Sequence, residues 1–338
     1  MNGSVFGDLQ PGELMTIAPP DVSIIIVNWN SCELLRQCLV SIPGAAGSVT
    51  WETIVVDNAS FDGADRMIAS EFPTVRFVQN PVNAGFAKAN NLGFEYACGR
   101  NILFLNPDTE LVGCSLETLN RIADQQPAMG IVGPKLLNSD LTVQMDSIKA
   151  FPSLLNQLLD SHYLKRRLPK LSIWGMRPLF DSADAGPATV DVVSGACLMI
   201  KSDVFEKVGQ FSTRYFMYSE DVDLCYKVRQ AGRTVCLEKR AEVIHHGGKS
   251  SSLTPVSQFA AVLTRESRFQ FLTVSRGSAY ALAYRGLTAC VAVSRLAALG
   301  VMWPYALLAG RRISSAFSKW RSVLRWSVGG ERWVKTLD

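Results

Sequence analysis

The sequence predicts an α/β protein: a doubly wound, mostly parallel sheet followed by a helical, basic C-terminal extension. Strand-like runs alternate with helical patterns about every 25 to 30 residues, the rhythm of βαβ units. The runs are continuous rather than alternating, as in Val22-Ser23-Ile24-Ile25-Ile26-Val27, which marks strands buried on both faces. Charge divides the chain as well. From Ser251 onward there are 12 basic and 3 acidic residues, a balance of +9, against −5 (22 basic, 27 acidic) for the first 250.

Val22 to Val27 is the first strand, and Ser31 suits the N-cap of a helix carrying Leu34, Leu35, Cys38 and Leu39 at helical spacing. A second strand, Thr53 to Val56, ends in Asp57-Asn58, and Asp62-Gly63 opens a helix over Ala64 to Glu71. Val75 to Val78 makes the third strand, with a helix near Phe86 to Tyr96 after Asn80-Pro81. The fourth, Asn101 to Leu105, runs into Asn106-Pro107-Asp108. Lys149 to Ala188 mixes Leu-rich spacing, prolines and the basic cluster Lys165-Arg166-Arg167, and reads as a helical insertion or loop. Order resumes at Val190 to Ile200, followed by helices over Ser202 to Val208 and Tyr215 to Arg229 and a strand over Thr234 to Leu237. A boundary near Arg276 separates a domain over 21–275 from an extension over 276–338. Residues 1–20 read as a tail without the basic start and apolar run of a signal peptide, so export is not expected.

With 338 residues and 48% apolar composition the chain can bury a full core, which excludes disorder throughout and a small stapled scaffold. None of the eight cysteines forms a CxxC pair and several lie in apolar runs, so buried thiols are expected rather than disulfides. An acidic body with one basic end argues against general nucleic-acid binding and for an anionic surface met by the tail. Neither GxGxxG after the first strand nor GxxxxGK[ST] occurs, so a nucleotide would have to be held by carboxylates and a metal.

Three strand ends finish in a carboxylate or carboxamide, Asn28/Asn30, Asp57/Asn58 and Asn106/Asp108, and an open α/β sheet brings such ends to one rim. Each alone could be a turn former. Acids at a rim cannot attract a phosphate directly; they need a ribose or base donor, or a divalent cation between them and the anion. Glu220, Asp221 and Asp223 fall within four positions ahead of a helix. They could simply complement its macrodipole, yet crowded carboxylates raise one another's pKa, which suits a general base. His245-His246-Gly247-Gly248 places two of three histidines beside glycines, making Asp108 and His245 candidate ligands of one ion.

With these residues in place, the sequence resembles the family 2 inverting glycosyltransferases of GT-A fold, specifically their rhamnosyltransferase-like branch. The matching strings are Val22 to Asn30, Val55-Val56-Asp57-Asn58-Ala59-Ser60, Asn83-Ala84-Gly85-Phe86-Ala87-Lys88-Ala89-Asn90-Asn91, Leu105-Asn106-Pro107-Asp108-Thr109, Ser194-Gly195-Ala196-Cys197, Phe216 to Cys225, and His245, Gly248 and Ser250 as H-x-x-G-x-S. The resemblance implies Asp221 as catalytic base, Asp108 and His245 at the Mg²⁺ or Mn²⁺ site, and Glu220 and Asp223 as supporting acids. Donor contacts would involve Asn30, Asp57, Asn58, Asn83, Gly85, Asn106 and Gly195. Asn106 replaces the first acid of the family's DxD-like motif, and Phe211-Ser212-Thr213 stands where Phe-Asp-Glu is usual.

It further implies transfer of a sugar, with dTDP-rhamnose the expected nucleoside-diphosphate donor, to a polyprenyl-diphosphate-linked saccharide. Two other classes fit these residues less well. A non-catalytic scaffold retaining the fold has no reason to keep Asp57, Asp108, Asp221 and His245 together, and a nucleotidyltransferase would need a Gly-rich basic loop where Asn28-Trp29-Asn30-Ser31 stands. Gly286 to Gly310 is long enough to span a bilayer, but Arg295 lies near its middle and Pro304 interrupts it. Arg311 to Lys335 adds seven basic residues with Trp320, Trp326 and Trp333 interleaved, which predicts an anionic membrane surface as partner, the cytoplasmic face of the plasma membrane, with peripheral or shallow insertion.

Overall fold

The computed structural model describes residues 18–144, 147–158, 186–247, 258–308 and 314–335. The elements run β1 (Val22–Asn28), α1 (Cys32–Ala46), β2 (Trp51–Asn58), α2 (Ala64–Glu71), β3 (Arg76–Asn80), α3 (Phe86–Phe94), β4 (Asn101–Leu105), β5 (Thr109–Val112), α4 (Ser115–Gln125), β6 (Met129–Leu137), β7 (Ile148–Lys149), α5 (Leu154–Leu158), β8 (Ala188–Thr189), β9 (Val192–Val193), β10 (Cys197–Lys201), α6 (Ser202–Lys207), α7 (Glu220–Gln230), β11 (Thr234–His245), α8 (Gln258–Arg276), α9 (Ser278–Leu308) and α10 (Ser314–Ser327).

One sheet organises them, in the order β3-β2-β1-β4-β10-β6-β11-β5, with β8 also on β11. The β1–β2, β1–β4, β2–β3 and β6–β11 pairs are parallel, whereas β10 is antiparallel to both β4 and β6, and β5 and β8 are antiparallel to β11. The chain therefore builds outward from β1 toward β3, returns to β4 and builds the other way. That reversal is the switch point at whose strand ends α/β sheets bind ligands.

Both faces are covered. Along β1, Ile25 and Val27 join one core with α3 and α7, while Val22, Ile24 and Ile26 join the other with α1, α2 and α4. Burying one such side chain fully contributes about 1.5–3 kcal/mol, so a strand flanked on both sides has a fixed register.

Strand and helix positions at the N-terminal half agree with the sequence reading, and four details differ. Ser31 does not cap α1 with its side chain; its hydroxyl donates to the Trp29 carbonyl at 3.0 Å, and Asp62 Oδ2 accepts the Cys32 N–H at 2.8 Å instead. β5, α4 and β6 lie in a stretch where Gly130, Gly133 and Pro134 interrupt any strand pattern. The helix expected from Tyr215 starts at Glu220, because Tyr218 and Ser219 hold positive φ (71° and 66°). The strand expected to stop at Leu237 continues to His245 through an irregularity between Glu238 and Glu242. Of the Lys149 to Ala188 segment, β7, α5 and β8 are described; Lys165-Arg166-Arg167 lies outside the described residues.

All eight cysteines are free. Burial pushes the thiols of Cys38 and Cys225 up to about 12, so they behave as small apolar groups.

At the C-terminal end, Gly277 separates α8 from α9. Tyr284 and Trp326 are buried in the same core as Phe271 and the α7 residues Leu224 and Val228. A helical extension is thus present, and it shares its hydrophobic interior with the sheet domain.

Candidate active site

The rim is built from β1 and β2 outward. In register, Asn28 stands beside Asp57, and Asn28 Nδ2 donates to Asp57 Oδ1 at 2.8 Å. Asp57 also accepts from the Ser60 amide at 3.1 Å, the Ser60 hydroxyl, and Gln79 Nε2 at 2.8 Å. Burial raises its carboxyl, but the hydrogen bonds from Ser60, Gln79 and Asn28 together outweigh burial and hold it below the ordinary carboxylate range. Asp57 is therefore a fixed anion at the mouth of the switch point. Asn28 Oδ1 is buried with no hydrogen-bond donor. Asn30, next along, is exposed in the left-handed region at φ 51°.

Asn58 and Asn83 are engaged with the protein itself. Asn58 Nδ2 donates to Asn83 Oδ1 at 2.8 Å, and Asn58 Oδ1 accepts from Asn80 Nδ2 at 3.1 Å and the Ala84 amide at 3.0 Å. The two carboxamides hold the loop that delivers Gly85. Gly85 sits at φ +82°, and a Cβ there would lie 2.4 Å from the Phe216 carbonyl oxygen, so only glycine allows the approach that lets the Phe86 amide donate to that oxygen at 2.9 Å. In this way the Asn-rich loop fixes the segment leading into α7.

Asp221 occupies the first turn of α7. Its Oδ1 accepts the Val222 amide at 2.8 Å and its Oδ2 the Gly195 amide at 3.2 Å. Gly195 eases that contact, since a Cβ there would lie a tight 3.3 Å from the Asp221 Cβ. The Ala196 carbonyl accepts the Asn106 amide at 2.8 Å, so the segment that holds Asp221 is tied directly to the end of β4. The acids on either side have different duties. Asp223 turns away and accepts from Ser212 Oγ at 2.5 Å and the Tyr215 hydroxyl at 3.2 Å, with Lys227 Nζ at 3.5 Å. Ser212 thus anchors the loop whose usual acid is missing from Phe211-Ser212-Thr213. Glu220 is buried with Oε2 unpartnered, and burial first and the Asp221 charge second push its carboxyl up to about 8.

That shift has a sign. Between the ordinary 4.5 and about 8 the folded protein binds a proton at Glu220 that the unfolded chain has released, so this group's contribution to stability falls as pH rises through that window. Glu220→Gln is expected to flatten the fall, with its Tm relative to wild type rising from pH 5 to pH 8. A constant difference in Tm across that range would show that Glu220 is not held protonated.

The last corner joins β4 to β11. The Asp108 carbonyl accepts the His246 amide at 2.9 Å, which lays His245 beside the Asp108 carboxylate, with Nε2 3.4 Å from Oδ1. Gln144 fixes the imidazole: its Nε2 donates to Asn138 Oδ1 at 3.3 Å, so its Oε1 faces His245 Nδ1 at 2.8 Å and accepts that nitrogen's proton. Nε2 is left with a lone pair, opposite an Asp108 Oδ1 that is buried and receives no hydrogen bond. Two acceptors facing each other fit a cation between them, and the Gln144 contact is the outer support that metal-bound histidines have. Asp108 and His245 are thus the residues suited to hold a divalent ion. No cluster of three or more His, Cys, Asp or Glu exists among the described residues. His246 belongs elsewhere, bound by Glu110 at 2.6 Å and Ser139 at 2.8 Å.

Gly248 and Ser250, part of the H-x-x-G-x-S match, lie outside the described residues. Sequence reasoning missed Gln144, a lone glutamine with no motif around it, and the roles of Ser60, read only as part of a matching string, and Asp62, read as the opening of α2.

The sheet order, with its switch point between β1 and β4 and helices appended after β11, is that of a GT-A type fold. Residues 23–209 match the family described as Glycosyl transferase family 2, and the chain belongs to that family, in its rhamnosyltransferase type. It is 30% identical over 250 residues, 70% of this chain and 80% of the relative, to the N-acetylglucosaminyl-diphospho-decaprenol L-rhamnosyltransferase of Mycobacterium tuberculosis. Rhamnosyltransferase WbbL of Escherichia coli (strain K12) is 25% identical over 235 residues, 67% of this chain and 83% of the relative. Among solved structures, the mannosyltransferase PcManGT from Pyrobaculum calidifontis in complex with GDP-Man and Mn²⁺ has TM-score 0.55 at 17% identity, covering 93% of this chain and 88% of that one, a likeness of fold.

Proposed function

We propose that this glycosyltransferase moves rhamnose from dTDP-rhamnose to a hydroxyl of a polyprenyl-diphosphate-linked saccharide, with inversion at the anomeric carbon. The observation that carries the chemistry is Asp221, held through both carboxylate oxygens by backbone amides at a helix start. In the reaction, Asp221 accepts the proton of the acceptor hydroxyl as that oxygen bonds to the anomeric carbon and the bond to the diphosphate breaks. A single displacement of this kind inverts configuration. Asp57 accepts from the nucleoside, Asn28 and Asn30 border it, and Asn58, Asn83 and Gly85 shape the loop beneath. Asn106 and Gly195 close the floor between donor and base. Asp108 and His245 would hold Mg²⁺ or Mn²⁺, which when bound offsets charge on the departing diphosphate. The acceptor class rests on the printed activity of the Mycobacterium tuberculosis relative, and metal use on the Mn²⁺ in the PcManGT structure.

The deciding experiment is a panel of nucleotide sugars scored by released nucleoside diphosphate, with and without a polyprenyl-diphosphate-linked N-acetylglucosamine. Release with dTDP-rhamnose that depends on the acceptor is expected. Release from another donor, or none that depends on the acceptor, would overturn the assignment.

We place the enzyme at the cytoplasmic face of the membrane, lying on it rather than spanning it. α9 is long and apolar enough to cross a bilayer, and only 11% of its apolar window is buried. Its first half nevertheless belongs to the protein: Arg285 donates to the Trp326 and Ser327 carbonyls at 2.7 and 3.1 Å and stacks on Trp326. Its second half exposes Val301, Met302, Trp303 and Tyr305, beside exposed Arg295, Arg321 and Arg325. Each cation near an anionic surface contributes about 1 kcal/mol, and the aromatic residues suit the interface. The protein is expected to sediment with phosphatidylglycerol vesicles at low salt and to be released in part by high salt, with Arg295→Glu/Arg321→Glu largely soluble. Full-length protein remaining in the supernatant at low salt would refute this placement.

A further inference from the structure

A cleft of about 540 Å³ is lined by Lys88, Thr213, Arg214, Phe269, Gln270 and Thr273, none of them among the rim residues described above. Its size is in the range of small-ligand sites. Three separate parts of the chain meet there: the first turns of α3, the loop before α7, and α8. Each wall is fastened. Asn91 exchanges hydrogen bonds with the Phe211 backbone at 2.9 and 3.1 Å, tying α3 to the loop, and Ser267 Oγ donates to the Met217 carbonyl at 2.8 Å, tying the loop to α8. Asp223 holds the same loop from below through Ser212 and Tyr215.

Two cations line this rigid cleft from different elements, and neither Lys88 nor Arg214 forms an ion pair with a carboxylate among the described residues. Elsewhere in the protein, exposed cations such as Arg36, Arg100 and Arg229 are paired. Two unneutralised cations sharing a cleft with hydroxyls at Thr213 and Thr273 and the Gln270 amide make a receptor for a polyphosphate, with Arg able to grip two oxygens at once and Lys acting as a point charge. We propose that the cleft between α3, the 211–217 loop and α8 binds the diphosphate of the lipid-linked acceptor, through Lys88 and Arg214. This rests on the acceptor class proposed above and assigns the place where its anion is read.

Placement favours the acceptor over the donor. The donor's diphosphate has its own proposed site at Asp108 and His245, neither of which lines the cleft. Arg214 lies on the loop that leads into α7, seven residues before Asp221, and Lys88 lies on the helix that Phe86 and Asn91 bind to that same loop, so the cleft borders the segment that carries the base. α8 continues through Gly277 into α9, whose second half exposes Val301, Met302, Trp303 and Tyr305, an apolar surface suited to an isoprenyl chain.

The test is binding of citronellyl diphosphate and of inorganic pyrophosphate to the full chain in excess chelator, so that no divalent ion contributes. Citronellyl diphosphate is expected to bind more tightly than pyrophosphate, and both to weaken about tenfold in Lys88→Ala and in Arg214→Ala, with Lys88→Arg and Arg214→Lys retaining most of the affinity. Donor binding in the presence of Mn²⁺ should be unchanged in all four variants. Undiminished citronellyl diphosphate binding in both alanine variants would overturn the cleft assignment, and equal affinity for the two ligands would overturn its assignment to a lipid-linked molecule. The nucleotide-sugar panel is independent: its failure with diphosphate binding intact would remove the proposed acceptor reaction and leave an anion site, whereas success with unaltered binding would remove the cleft alone.

Discussion

Asp221→Asn is expected to lower kcat by at least about 10²-fold while leaving donor KM close to wild type, the loss that removal of a general base produces. The substitution keeps shape but converts one carboxylate oxygen to an N–H₂ group. In wild type both oxygens accept backbone amides, from Val222 and Gly195, so one of those donors would face another donor. That mismatch costs about 1 kcal/mol, enough to lower Tm by a few degrees and too little to unfold a domain of this size. Activity and stability therefore separate. Asp223→Asn provides the contrast, because Asp223 is committed to Ser212, Tyr215 and Lys227: it should lose stability first and turnover only in proportion to the disturbed loop. Near-wild-type kcat in folded Asp221→Asn would sink the base assignment, and Glu220 would be the next residue to replace.

The reach of the sequence can be judged from these same residues. β1, β2 and β4 were legible because their apolar runs are continuous and each leads into an Asn or Asp, so strand, switch point and rim came together. Asp57, Asp108, Asp221 and His245 were legible as types of residue in motifs. What could not be read was how each is held. Gln144 supports His245 across 101 positions, and nothing in a lone glutamine reports that distance. Asp62 caps α1 from 30 residues away, while Ser31, the better local cap, bonds back to Trp29. The early helix expected from Tyr215 fails for a related reason: its apolar spacing is helical, but the Phe86–Phe216 and Ser212–Asp223 contacts pull the chain into a loop with two residues at positive φ. Tertiary hydrogen bonds override local propensity at the places where the site is assembled. Similarly, β6 is a strand in spite of Gly130 and Pro134 because β10 and β11 pair with it on both sides.

Removing divalent ions with a chelator is expected to abolish transfer, and Mn²⁺ or Mg²⁺ to restore it, but the sharper result concerns Asp108→Asn. In wild type, Asp108 Oδ1 is buried without a donor and stands 3.4 Å from His245 Nε2, whose lone pair is turned to it by Gln144. An asparagine there can donate an N–H to that lone pair. The variant should therefore lose Mn²⁺ binding, read by electron paramagnetic resonance with nucleoside diphosphate present, while metal-free stability stays level or rises by about 0.5–1.5 kcal/mol, the net value of a new hydrogen bond. A purely structural pair predicts the reverse order of effects: Asp108→Asn and His245→Ala would lower Tm in chelator and leave Mn²⁺ affinity alone. Gln144→Ala separates the two further. It touches neither the ion nor substrate, yet by freeing the imidazole to change tautomer it should weaken Mn²⁺ binding about 10- to 100-fold, as loss of an outer support does. Unchanged Mn²⁺ affinity in both Asp108→Asn and Gln144→Ala, or full transfer after exhaustive chelation, would take the ion out of this corner and leave the diphosphate's charge to be met by protein groups alone.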